Sequence, residues 1–260
     1  MIEATVLAAL GAGALIGLVL ALVGGGGSIL AVPLLVYAVG VAQPHVAIGT
    51  AAVAVALNAL SGLVGHARQG TVRWGCALSF AAAGMLGAAL GAEAGKAIDG
   101  QRLLALFGGL MIVVGALMLR RRGGPGDPAV RMTRATARPL LARLVPAGLA
   151  VGLLAGFFGI GGGFLIVPGL IWATGLPIGL AIGSSLVVVF ALGATTAASY
   201  AASGLVDWTL VAALALGGVA GSLAGRALGN RLAVRGRLLE TGFALLVMAV
   251  GAVVVTMGLP

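Results

Sequence analysis

Apolar runs recur from Ala4 to Leu259 with only short connections between them, and a chain of that kind is solvated largely by lipid. Of its 260 residues 61% are hydrophobic and 8% charged, where a soluble domain has about a quarter of its residues charged. No polar stretch is long enough for a soluble domain, so the chain reads as one all-α polytopic membrane protein. Ten helical segments are expected, near 4–23, 28–42, 46–65, 74–92, 103–119, 144–158, 164–177, 179–202, 208–225 and 238–258. Those at 28–42, 144–158 and 164–177 fall short of the roughly 20 residues that cross a bilayer, so broken, tilted or re-entrant helices are expected there.

Two glycine clusters interrupt the pattern at corresponding places. Sliding the chain on itself by 134 to 135 residues aligns Gly24-Gly25-Gly26-Gly27-Ser28, running on to Pro33, with Gly159-Ile160-Gly161-Gly162-Gly163, running on to Pro168. Ala47-Ile48-Gly49-Thr50 then meets Ala181-Ile182-Gly183-Ser184. Gly70, Val72 and Trp74 meet Gly204, Val206 and Trp208, and Gly84, Gly87, Gly91 and Gly95 meet Gly218, Gly221, Gly225 and Gly229. A bias toward glycine does not align an ordered series that includes Pro and Trp. The chain thus divides into a first membrane repeat over 1–119, an Arg-rich linker over 120–143 and a second repeat over 144–260, with about five segments per repeat.

An odd number of crossings per repeat turns the second copy upside down, and the cations test this expectation. If the linker is cytoplasmic, thirteen of the fifteen Lys and Arg residues share its side: Arg68, Arg73, seven in the linker, Arg226, Arg231, Arg235 and Arg237. Only Lys96 and Arg102 lie outside, beside Glu93 and Asp99. Equivalent connections change character, since Arg73 matches Asp207 and Arg226 matches Ala92. With each glycine-broken pair read as a hairpin, both termini are expected outside.

A helix broken in mid-membrane leaves backbone N–H groups without acceptors, tolerable there only inside protein or around a water-filled cavity. An anion supplies the acceptor. The clusters Gly24, Gly25, Gly26, Gly27 and Gly159, Gly161, Gly162, Gly163 let the backbone turn and approach closely, and helices starting near Ser28 and Gly163 aim positive dipole ends at a shared midplane site. No Lys or Arg falls inside a segment core. The repeat-equivalent hydroxyls Thr50 and Ser184, the adjacent Ser185, and Asn58, whose counterpart is Leu192, complete the candidate substrate-binding set. Thr195 and Thr196 are secondary candidates that can equally satisfy their own helix, and Gly84, Gly87 and Gly91 read as helix packing positions.

Other chemistries find no support in the residues. A lone Cys76, two histidines and six scattered acids offer no metal-ligand spacing and no nucleophile, so neither an enzyme nor a cofactor is expected. The formal charge of +9 is carried by connections between apolar runs, which argues for a bilayer and against nucleic acid as partner. His45 and His66 sit at segment ends, where they could couple protons to a small anionic substrate. A homo-oligomer is compatible with the sequence.

These motifs resemble those of the sulfite exporter TauE/SafE family, in which a Gly-rich motif running into a Pro-bearing helix is duplicated. The residues that carry the resemblance are Gly24-Gly25-Gly26-Gly27-Ser28 through Pro33, and Gly156-Phe157-Phe158-Gly159-Ile160-Gly161-Gly162-Gly163 through Pro168, followed by Ala181-Ile182-Gly183-Ser184-Ser185. The first motif lacks the aromatic residues before its glycines. The resemblance implies a bacterial inner-membrane permease moving sulfite, organosulfonates or related oxyanions, usually outward. Joined to the inverted repeats, it gives a secondary transporter with alternating access; the alternative is an anion channel or a permease for another small anion. A reporter fused to the N-terminus is expected to report an external position, and a cytoplasmic signal would refute the hairpin topology.

Overall fold

The structure, a computed structural model, describes residues 2–120, 126–159, 163–232 and 236–258. Among them there is no strand. Helix α1 (Ile2–Val23) leads into an irregular helical stretch, with 3₁₀ turns over Gly24–Leu30, the single α-turn α2 (Ala31–Pro33) and a π-turn over Leu34–Ala38. There follow α3 (Pro44–Arg68), α4 (Trp74–Lys96), α5 (Gly100–Arg120), α6 (Ala137–Phe157), α7 (Gly163–Thr174), α8 (Ile178–Ala202), α9 (Trp208–Leu232) and α10 (Gly236–Gly258). Seven helices among the described residues are long and apolar enough to cross a bilayer. Large apolar side chains such as Leu7, Leu86, Leu90 and Leu216 stand fully outward, and Trp74 and Trp208 mark helix starts, as lipid and its interface require.

Local signals set the helix ends. Pro44 opens α3 at a position where its missing N–H costs nothing. Asp99 accepts the backbone N–H groups of Gln101 and Arg102 at 3.1 Å each, and Asp207 does the same for Thr209 and Leu210 at 3.0 and 3.1 Å. Gly70 and Gly204, at φ +68° and +70°, turn the chain out of α3 and α8.

Helix α6 corrects the expected boundaries. It begins at Ala137, inside the stretch read as linker, and runs 21 residues, so 144–158 is part of a full span and not a broken piece. Arg138 and Arg143 ended the apolar run, yet a long cationic side chain at a membrane surface keeps its stem on the helix and its head in water. The rest of the described linker is strapped to the body. Arg73 Nη2 donates to the Pro128 carbonyl at 2.9 Å, Asp127 N to the Gly175 carbonyl at 3.0 Å, and the Met132 side chain lies on Gly75.

The connections gather on two faces. The linker face holds 69–73, 126–136 and the turn at Gly175. On the opposite face His45 Nε2 donates to the Ile98 carbonyl at 3.1 Å, Lys96 Nζ to Ser203 Oγ at 2.9 Å, and Gly49 lies against the Leu205 carbonyl. Between the faces the halves interleave. The two most extensive helix contacts are α4 on α6 and α1 on α9, and α5 pairs with α10 and α3 with α8. Each main crossing joins one half to the other.

Glycine makes these crossings. A Cβ on Gly152 would strike the Gly84 carbonyl, one on Gly156 the Ala88 carbonyl, and one on Gly91 the Leu153 carbonyl. On the other crossing Gly17 meets Gly218, and Gly221 meets Ala14. Backbones this close gain dispersion contacts that bulky side chains would prevent, which is how helices associate where no water is left to expel. Gly152→Ala is expected to lower stability in detergent by about 1–3 kcal/mol. Gly109→Ala, whose added methyl group meets nothing within 4 Å, is expected to be neutral or to gain up to about 1 kcal/mol. Thermal unfolding of the two variants checks the contrast, and equal behaviour would sink it.

Candidate functional site

After each glycine cluster the chain returns along the helix that precedes it, Gly24–Leu30 on α1 and α7 on α6. Gly27 lies against α1, where a Cβ would meet Leu20 N, with Leu20 Cα at 2.8 Å and the Ile16 carbonyl at 2.9 Å. Only glycine lets the returning strand of chain touch α1 this closely. In the second half Gly159 has φ +65°, and a Cβ there would overlap the Ile48 side chain of α3. Gly169 of α7 then returns beside Val151 of α6, whose Cγ2 a Cβ on Gly169 would meet at 3.3 Å. The two returning segments pack on each other, Gly24–Leu30 against α7, and both touch α8.

The predicted residues are brought together in part. Ser28 is fully buried within the 3₁₀ turns, and Gly163 is buried at the start of α7. Gly24, Gly25 and Gly26 belong to the same 3₁₀ stretch as Ser28; Gly161 and Gly162 lie outside the described residues. Of the two dipole ends expected near the middle, α7 supplies a 12-residue helix beginning at Gly163. The first half differs, because Ser28 sits inside tight turns followed by one α-turn and a π-turn, and so short an aligned stack of peptides has little macrodipole.

Thr50 and Ser184 are far apart, on opposite faces. Thr50 Oγ1 accepts the backbone N–H of Asp207 at 3.0 Å, and Ser184 Oγ accepts that of Arg73 at 2.8 Å. Arg73 and Asp207 are themselves repeat-equivalent, so one contact is made twice: the start of α3 holds the entry to α9, and the start of α8 holds the entry to α4. Gly183, like Gly49, is close-packed on the same connection, a Cβ there meeting the Thr71 carbonyl at 2.8 Å. Each hydroxyl thereby satisfies a helix-entry donor that the bilayer would leave without water. Ser185 Oγ donates to the Ile182 carbonyl at 2.7 Å, within its own helix.

Asn58 behaves differently. It sits within α3, 1% exposed, and neither its Nδ2 nor its Oδ1 has a hydrogen-bond partner. Its amide fills the space that Gly218 leaves by having no side chain, and Gly218 in turn meets Gly17, so α1, α3 and α9 converge there. The repeat-equivalent contact is Leu192 on Gly84, with Leu192 Cδ1 at 2.8 Å from a Cβ built on Gly84. An amide thus stands where its counterpart places a hydrocarbon, and leaving it unpaired costs about 1–3 kcal/mol.

The remaining candidates divide. Thr195 Oγ1 donates to the Ala191 carbonyl at 2.9 Å, whereas the buried Thr196 Oγ1 and Tyr200 hydroxyl have no partner. Tyr200 gave no repeat signal, because its counterpart is His66. His66 Nδ1 lies 2.9 Å from Thr71 Oγ1, and Cys76 is buried in packing. Two clefts of about 250 and 330 Å³, one between α3 and α8 and one between the 24–38 stretch and α10, have almost wholly apolar walls. Neither suits an anion. Among the described residues no cluster of His, Cys, Asp and Glu could hold a metal.

Comparison with known proteins agrees with this architecture. The family model described as Sulfite exporter TauE/SafE matches residues 9–254. A probable membrane transporter protein of Xylella fastidiosa (strain Temecula1) is 48% identical over 246 residues, covering 95% of this chain and 93% of its own. The probable membrane transporter protein YunE of Bacillus subtilis (strain 168) is 29% identical over 243 residues, covering 85% and 87%. No solved structure matches.

The two kinds of polar residue predict opposite responses. Thr50→Ala and Ser184→Ala are each expected to cost about 1 kcal/mol, with Thr50→Ser retaining the cap. Asn58→Leu, which copies the Leu192 contact, is expected to stabilise by about 1–3 kcal/mol. Denaturation in detergent measures all four, and a destabilised Asn58→Leu would show that the amide is satisfied.

Proposed function

The chain belongs to the sulfite exporter TauE/SafE family of membrane transporters, and from that premise we propose that it exports sulfite or an organosulfonate across the bacterial inner membrane by alternating access. The observation that carries the reading is Asn58, a buried amide without a hydrogen-bond partner where α1, α3 and α9 converge. A small oxyanion accepts hydrogen bonds in several directions and needs no fixed cation when neutral donors converge on it. The backbone donors of this reading come from the stretch Gly24 to Ser28 and from the start of α7 at Gly163, and Asn58 adds a side-chain one. Thr50, Ser184 and Ser185 frame the site by fixing the helices around it.

The inverted arrangement finds support in matched contacts. The Thr50–Asp207 and Ser184–Arg73 pairs join repeat-equivalent residues at opposite faces, as a two-fold axis in the membrane plane would place them. The cation count of the sequence supports the same arrangement, because a cytoplasmic linker puts thirteen of the fifteen Lys and Arg residues on its side and leaves the termini external. Alternating access then exposes the hairpins first to one face and then to the other.

Proteoliposomes carrying the full chain are expected to take up labelled sulfite or methanesulfonate faster when loaded with unlabelled anion. Accelerated exchange identifies a carrier, and large unitary currents would identify a channel instead. If no oxyanion of a panel moves, the substrate reading fails. Asn58→Leu is expected to reduce transport at least tenfold in protein that is no less stable than the wild type; full activity would remove Asn58 from the site.

A further inference from the structure

At the face opposite the linker, the chain's one lysine lies among polar groups of α4 and α8. The Lys96 side chain is 16% exposed. Its Nζ sits 2.8 Å from Glu93 Oε1, donates to Ser203 Oγ at 2.9 Å and to the Ser199 carbonyl at 3.5 Å, and lies 5.9 Å from the centre of the Tyr200 ring. Glu93 Oε1 also accepts from Ser199 Oγ at 2.8 Å. A carboxylate is therefore held by an ammonium and a hydroxyl, the donor set that an oxyanion uses.

Three polar atoms beside this pair have no partner among the described residues. The Tyr200 hydroxyl belongs to a fully buried residue whose Cβ packs on Gly49 of α3. His45 Nδ1 is on a ring centred 6.4 Å from that of Tyr200. Thr196 Oγ1 lies one turn deeper on the same face of α8. Buried hydroxyls are rarely left without an acceptor, so this stripe from Thr196 to Lys96 points to a guest that visits it. Glu93 is 68% exposed and held only by Lys96 of its own helix and the Ser199 hydroxyl of α8, so it can swing into solvent when another anion takes its place.

We propose that Lys96 and the Tyr200 hydroxyl form an outer subsite for a small oxyanion, which the Glu93 carboxylate occupies until an anion displaces it. The proposal takes its ligand class from the export reading above. An anion leaving the central hairpins passes Thr196 and Tyr200, reaches the ammonium, and is released when Glu93 returns. Glu93 is thus a competitor for the site and not a ligand of the substrate.

Lys96 is the sole lysine, so an amine-acylating reagent reports on it directly by peptide mass spectrometry, with the N-terminus as internal reference. Acylation of the purified full chain is expected to slow at least threefold in methanesulfonate relative to chloride at equal ionic strength. Glu93→Gln should label faster and be protected at lower methanesulfonate concentration. In proteoliposomes Lys96→Met and Tyr200→Phe should raise the KM for sulfite about tenfold and Lys96→Arg should restore most of the affinity, while Glu93→Gln lowers the KM. An ion pair with a merely structural role predicts the same direction for Lys96→Met and Glu93→Gln. Unprotected Lys96, or variants that change only the yield of folded protein, would overturn the subsite. Protection without transport by the wild type would instead leave the subsite standing and refute the export reading.

Discussion

Contact between the backbones of crossing helices is what the rest of this molecule depends on. In hydrocarbon there is no water to expel from between helices, so an apolar side chain gains little by leaving lipid for protein. What remains is dispersion at close range, and glycine is the residue that permits it. Gly152 on Gly84 and Gly17 on Gly218 are the two central instances, and each ties one half of the chain to the other. Without them α4 and α6, or α1 and α9, would be held apart by side chains and the hairpins would have nothing to pack into.

The same closeness governs where polar groups can stand. A glycine that removes its own side chain creates a recess, and the two recesses at Gly84 and Gly218 are filled differently, by Leu192 and by Asn58. One is ordinary packing, and the other places an unpartnered amide in the bilayer interior. Helix entries pose the converse problem, because their N–H groups need acceptors that lipid does not supply. Thr50 and Ser184 answer it across the boundary between halves. Binding chemistry and folding chemistry thus draw on the same few polar side chains, and their hydrogen-bond partners tell them apart.

Much of the architecture was legible because hydrophobicity and glycine spacing record lipid exposure and backbone contact directly. The apolar helical segments, the irregular stretch at Gly24–Leu30 and the role of Gly84, Gly87 and Gly91 in packing follow from that record. The start of α6 did not, since Arg138 and Arg143 end an apolar run without ending a helix. The repeat picked out Thr50 and Ser184 as a pair but not their task, which depends on the connections at 71–73 and 205–207 folding over the opposite half. A repeat also hides what is not repeated. Tyr200 faces Lys96 across α4 and α8, yet nothing in the sequence spacing links residues that far apart, and neither has a counterpart of its own kind.

The interleaving of the halves sets an order of assembly during synthesis. Helices α4 and α6 are separated by α5 and the linker alone and can close on each other once α6 has been made. Helix α1 emerges well before α9, whose backbone Gly13 and Gly17 are shaped to receive. For most of translation α1 therefore carries a bare glycine face with no protein partner, and the insertion machinery or lipid must cover it. Helix α1 is thus locked long after it is made, and a nascent chain stopped before α9 has no means of completing the fold.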